Sequence, residues 1–125
     1  MKFYVTGRST NYDQVKKAFA HIKEKGHEVT FEWTELPMVK PYSEHKAEAS
    51  ANAVLGIDGV VEADVYIIFS HPDGNGVYTE FGAALASRSI NGKPKIFAVG
   101  EQNESCMFNY HPAVEFRQSL AKIFE

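Results

Sequence analysis

The sequence predicts an α/β fold, a small open parallel sheet of about four or five strands with helices on both faces. Three observations carry this expectation. Segments of strand character alternate with segments of helical period along the chain. Two strand segments, "ADVYIIFS" at residues 63–70 and "KPKIFAVG" at 93–100, are near-continuous apolar runs, as expected of strands covered on both faces. The strands and helices are joined mainly by short turns, which gives right-handed crossovers and hence parallel pairing.

Taken in order, "KFYVT" at 2–6 is rich in β-formers and ends at Gly7, a turn residue. A helix then starts near Asn11 or Asp13, either of which can cap it. Val15, Phe19 and Ile22 recur at i, i+4 and i+7 on one apolar face, and Gly26 follows the helix end. "HEVTFEW" at 27–33 alternates polar and apolar and reads as the second strand. Residues 34–43 carry Pro37 and Pro41 without a period, a loop long enough to suggest function. An alanine-rich helix follows from about 43 to 62, interrupted by Gly56 and Gly59.

The strand at 63–70 leads through the glycine-rich turn "HPDGNG" into a small-residue helix from about 77 to 88. After the strand at 93–100, "EQNESCMFNYHP" is loop and 113–116 a short edge strand. "RQSLAKIF" is expected to end the chain as a helix with Leu120, Ile123 and Phe124 inward.

The 125 residues fit one domain spanning 1–125, long enough to bury a single core. Apolar residues at 44% and charged residues at 23% are ordinary for a soluble protein. The net charge of −3 is spread along the chain, with no basic stripe for a nucleic acid. Cys106 is the single cysteine, so no disulfide forms within the chain and a reducing compartment is expected. The opening "MKFYVTG" lacks a signal-peptide pattern, and no apolar run nears the ~18 residues needed to span a bilayer. The expectation is a cytoplasmic protein with no membrane partner.

In open parallel sheets, ligands sit at the carboxyl ends of the strands. Three loops lie there: 7–12, 70–77 and 100–111. Glu80 stands directly behind the middle one, at the predicted helix start. Acids favour a first helical turn because they complement the helix dipole. The same placement would hold a carboxylate ionised, as a nucleophile requires. Gly74 and Gly76 permit close backbone approach to a sugar or phosphate, though their spacing matches neither a P-loop nor a dinucleotide fingerprint, and a flexible turn would look the same. In "TGRSTNYD", Arg8 and Ser9 suit an anion at a helix start, or simply a solvated turn. The five histidines show no ligand spacing, so no metal is expected. Trp33, at the end of the predicted second strand, suits either packing or base stacking.

The ordered segments "FYVTG", "GVVEADVYIIF", "DGNGVYTEFGAALA", "GKPKIFAVG" and "MFNYHPAV" resemble the nucleoside 2-deoxyribosyltransferase-like superfamily. That superfamily includes 2′-deoxynucleoside 5′-phosphate N-hydrolases and pyrimidine-nucleotide N-glycosidases. The resemblance spans nearly the whole chain, and its most specific piece is the Glu-Phe-Gly-Ala that follows the strand and glycine turn. It implies a flavodoxin-like sheet and cleavage of the N-glycosidic bond of a nucleoside or nucleoside 5′-monophosphate, without a cofactor.

By the same resemblance, Glu80 attacks the anomeric carbon and Tyr4 orients it. Gly7, Arg8 and Ser9 lie at the sugar or 5′-phosphate; Trp33, Gly74 and Gly76 join the expected binding set from the reading of the residues above, not from the resemblance. The loop 105–111, with Asn109, completes a neighbouring subunit's site, which implies a homodimer or larger homo-oligomer. Two positions depart from the family pattern. Where many members carry an aspartate, this chain has Gly56, with Asp58 the nearest acid. Where many carry Asp or Ser, it has Gly74, preceded by Asp73. Asp58 and Asp73 are therefore the expected substitutes for the acid that protonates the leaving base. The competing expectation is a non-catalytic nucleotide-binding module of the same fold. A flavodoxin-like redox or signalling domain is a weaker one, since neither a flavin-site hydroxyl set nor a phosphoacceptor aspartate cluster is evident.

Overall fold

Five strands form one all-parallel sheet in the order β2-β1-β3-β4-β5 in the computed structural model. The strands are β1 (Lys2–Thr6), β2 (Glu28–Val29), β3 (Val65–Phe69), β4 (Lys95–Val99) and β5 (Val114–Arg117). The helices are α1 (Tyr12–Glu24), α2 (Lys46–Glu62) and α3 (Asn75–Asn91). The structure describes residues 1–37, 39–104 and 106–125. This strand order is flavodoxin-like, and its switch point lies between β1 and β3, whose carboxyl ends are where open sheets of this kind bind ligands.

The period of two along the central strands divides the core into two layers. Phe3, Val5, Ile67, Phe69 and Phe97 face α1, where they meet Val15, Phe19 and Ile22. Tyr4, Tyr66, Ile68, Ile96 and Ala98 face the other way, against Val60 of α2 and Val77, Phe81, Ala84 and Leu85 of α3. Directly paired residues share a face, so Tyr4 stands beside Tyr66 and Thr6 beside Ile68.

Three differences from the sequence expectation change how an element is read. The second strand is two residues long rather than seven. It pairs only with the start of β1, and Thr30 then donates its hydroxyl to the Gly59 carbonyl at 2.8 Å. Trp33 therefore does not end a strand. It opens a helical turn, Trp33–Glu35, and its indole N–H donates to the Val5 carbonyl at 2.8 Å, an acceptor that a longer second strand would have used.

The expected C-terminal helix is a single turn, Leu120–Ile123, because β5 extends to Arg117 and leaves too few residues for a stable helix. Leu120, Ile123 and Phe124 nevertheless pack against the first layer as expected, Phe124 stacking on Phe3 at 5.6 Å. Finally, α3 begins at Asn75, two residues before the expected start. Gly74 precedes it with φ +134°, a conformation that favours glycine.

Candidate active site

The earlier start of α3 changes the meaning of Glu80. The helix has no acid in its first turn, and Glu80 sits in the second, turned toward the sheet. It is therefore not a helix-start acid complementing the dipole, and the helix terminus does not account for its placement. What holds it is β1. The Tyr4 hydroxyl donates to Oε2, and the Thr6 hydroxyl donates to Oε1 at 2.8 Å. Tyr4 and Thr6 are two apart on one strand, so the pleat turns both side chains to the α2–α3 face. Each carboxylate oxygen thus has its own donor.

Helix α2 closes the cluster from above, with two glycines that meet it differently. A Cβ at Gly59 would lie 3.1 Å from the Tyr4 ring and 3.1 Å from Phe31 Cβ, so the helix rests on the tyrosine only because no side chain intervenes. A Cβ at Gly56 would lie 3.4 Å from Glu80 Oε2 and 3.7 Å from the Tyr4 hydroxyl, ordinary contact distances.

Burial pushes the Glu80 carboxyl above its ordinary value, and the hydrogen bonds from Tyr4 and Thr6 pull it partly back. The Tyr4 hydroxyl is pushed far up by burial first, then by the Glu80 charge and by its bond to that carboxylate. Tyr4 therefore stays protonated and remains a donor. The arrangement is a part-buried carboxylate with both oxygens oriented at the carboxyl end of the central strands, which suits attack on an electrophilic carbon.

The structure separates the other candidate residues. Asp58 is exposed on α2. It lies two positions past Gly56, roughly 200° further round the helix, so the structure does not bring it to Glu80. Asp73 faces solvent, with its side chain 78% exposed and in an ion pair with Arg8 at 3.6 Å. That pair ties the loop after β1 to the loop after β3, and the Arg8 stem lies over Gly74, where a Cβ would sit 3.1 Å away. Ser9 is exposed in the turn Ser9–Asn11 that precedes α1.

Gly7 is buried, and a Cβ there would come within 3.0 Å of Asn11 and 3.1 Å of Val15, so packing of α1 already requires it. Gly76 is exposed in the first turn of α3 with open space beside it. Trp33 packs edge-on to Tyr12 at 6.0 Å and spends its single donor on Val5. Asn109 is buried in the turn Met107–Tyr110 of the loop after β4, while Ser105, the start of the expected subunit-completing loop, lies outside the described residues.

Thr6 was not among the sequence candidates. The alternation in "YVT" carries the signal, since it places Thr6 on the same face as Tyr4 and at the strand's carboxyl end. An apolar groove of about 300 Å³ lies on the flank of α3 away from Glu80, between Phe81, Leu85, Cys106 and Phe108. Among the described residues, no three His, Cys, Asp or Glu side chains gather as a metal would need, and no helix is long and apolar enough to cross a membrane.

No family model matches the chain, and no curated protein matches it. Among solved structures, the CMP N-glycosidase BcmB of Clostridium botulinum superposes with a TM-score of 0.67 over 100% of both chains, at 16% identity. The chain has the fold of that N-glycosidase. The flavodoxin-like α/β architecture expected from the sequence is thus present both in the strand order and in a solved structure of full matching length. At this identity the likeness speaks for the fold, and the chemistry has to be argued from the site.

Proposed function

We propose that this protein cleaves the N-glycosidic bond of a nucleoside or nucleoside 5′-monophosphate, with Glu80 as nucleophile. The observation that carries the proposal is the carboxylate itself: part-buried, turned inward from α3, and held by Tyr4 and Thr6 at the switch point of the sheet. The fold shared with an enzyme that acts on CMP supports the substrate class.

In this reading, Glu80 attacks C1′ from the face opposite the base and forms a glycosyl ester, and the base leaves with the bonding pair and takes up a proton. Water then attacks C1′, returns the carboxylate and releases the sugar, giving up to solvent a proton that balances the one taken up by the base; a second base in place of water would make the reaction a transfer. Tyr4 and Thr6 fix the approach of the carboxylate and receive its charge again as the ester is cleaved. No metal or cofactor is needed for these steps. Arg8, in the loop after β1, binds the 5′-phosphate together with Ser9.

The site belongs to one domain, 1–125, that we place in the cytoplasm. We further propose that it self-associates. Val54, Leu55, Ile57 and Val61 of α2 and Met107, Phe108 and Tyr110 of the loop after β4 are large apolar residues left exposed, and a second copy would cover them.

One observation favours a second reading, a nucleotide-binding module without catalysis. Asp58 and Asp73, the acids expected to protonate the base, are both exposed, and Asp73 is paired with Arg8. Chromatography for free base decides between the two, using the common ribo- and deoxyribonucleosides and their 5′-monophosphates, with and without an acceptor base. Release by the native protein and its loss in Glu80→Gln establish the N-glycosidase. Binding without release from any substrate establishes the module.

A further inference from the structure

Tyr66 sits in the middle of β3, directly paired with Tyr4. Their rings are nearly parallel, 6° apart in plane with centroids at 5.9 Å, and Phe81 covers the other side of Tyr66 at 6.3 Å. The side chain is fully buried, and among the described residues its hydroxyl has no hydrogen-bond partner. Every other residue of β3 is apolar except for that oxygen: Val65, Ile67, Ile68 and Phe69. A phenylalanine would fill the same space without stranding a buried hydroxyl, which is destabilising. Packing therefore explains the ring of Tyr66 and leaves its oxygen without a purpose.

The surroundings of that oxygen supply one. From β1 and α3 the titratable groups within electrostatic reach are Tyr4, Tyr78 and Glu80. The buried residues packed around it from α2 and β4 are Val60, Ile96 and Ala98, none of which titrates. Among the described residues, Glu80 is thus the one carboxyl group within that reach, and it is bonded to Tyr4, on whose ring Tyr66 stacks. A hydroxyl dipole in a low-dielectric layer turns its hydrogen toward a neighbouring anion and favours the ionised form.

We propose that Tyr66 is a positioning residue for Glu80, a second buried hydroxyl beside Tyr4 whose dipole steadies the carboxylate from within the core. This deepens the function proposed above and rests on Glu80 being the working carboxylate. Glu80 loses its charge when the ester forms and regains it when the ester is cleaved. A fixed dipole already pointed at it favours the ionised state without reorganisation at either step. Tyr66 touches no substrate and acts only through Glu80.

The test is the titration of Glu80 itself, read by carboxyl-carbon NMR on protein labelled with ¹³C-glutamate. The resonance is assigned by its disappearance in Glu80→Gln. In Tyr66→Phe the midpoint of Glu80 is expected to rise by about half a pH unit or more, since a favourable dipole is gone. The thermal midpoint should hold or rise, and where base is released, kcat should fall with KM nearly unchanged. 3-Fluorotyrosine at position 66 keeps the ring and makes a stronger donor, so it should move the midpoint down, and it decides the matter if the phenylalanine variant folds poorly. A midpoint that stays within about 0.2 pH units in both proteins would make Tyr66 a packing residue and overturn the proposal. The titration needs no turnover. A native protein that releases no base would remove the proposed function, while the response of Glu80 to position 66 would still judge Tyr66.

Discussion

Tyr4 and Glu80 are 76 positions apart in the chain and meet in a hydrogen bond between β1 and α3. Neither residue reaches the other by chance of flexibility. Gly59 lets α2 rest on the tyrosine ring, and Phe81, next to Glu80 in sequence, is buried against Tyr66. The contact is therefore as rigid as the core that surrounds it.

Removing either donor should weaken catalysis without unfolding the protein. Tyr4→Phe and Thr6→Val each delete one hydrogen bond to a charged group, which corresponds to a loss of roughly 10- to 100-fold in kcat/KM. Thr6→Val keeps the strand-forming shape, so its thermal midpoint should stay close to that of the native protein. Steady-state kinetics with circular dichroism melts check both statements.

The pH dependence follows from the direction of the Glu80 shift. The folded protein holds the proton to higher pH than the unfolded chain does, because burial outweighs the two hydrogen bonds. The contribution of this group to stability is full at pH values below the unfolded pKa and is lost as pH rises through the folded one. Native protein should therefore lose ground to Glu80→Gln as pH increases through that window, in denaturant titrations at several pH values. Activity runs the other way, since the nucleophile must be ionised. The acid limb of kcat/KM should lie above the ordinary glutamate range, and Tyr4→Phe should move it higher still.

How far the site could be read from sequence depends on how local each signal is. The apolar runs of β3 and β4 and the spacing of Val15, Phe19 and Ile22 in α1 are local patterns, and they gave the architecture. Glu80 and Tyr4 stood out through a resemblance, and the structure brings them together. The short β2 was hidden because Trp33 satisfies Val5 through a side chain, which no backbone pattern announces. The start of α3 turned on the conformation of Gly74, and a shift of two residues decided whether Glu80 lay in the first turn or the second. Asp58 looked like a substitute acid because it is near Gly56 in sequence; on a helix, two residues apart means opposite sides.

The two glycines of α2 should respond oppositely to a methyl group. Gly59→Ala forces the helix off Tyr4 and Phe31 and should cost about 1–3 kcal/mol. Gly56→Ala meets only ordinary contacts, and the gain in helix propensity should leave stability unchanged or raised. Urea denaturation of the two variants compares them directly.

Arg8 should matter for ligand and hardly for fold. Its partner Asp73 is mostly exposed, so Arg8→Ala should change stability by less than about 1 kcal/mol. If Arg8 binds the 5′-phosphate, the variant should raise KM for a nucleoside 5′-monophosphate at least about tenfold and leave the matching nucleoside unaffected. Asp73→Asn, which frees the guanidinium, should lower KM for the monophosphate.

The most direct test of the account is to trap the glycosyl-enzyme. Native protein would be quenched during turnover of a slow 2′-fluorinated nucleotide, digested, and the peptide containing Glu80 weighed. The account predicts an increase equal to the sugar phosphate, carried on Glu80 and absent in Glu80→Gln. Turnover with an unmodified Glu80 peptide, or an adduct on another residue, would contradict it.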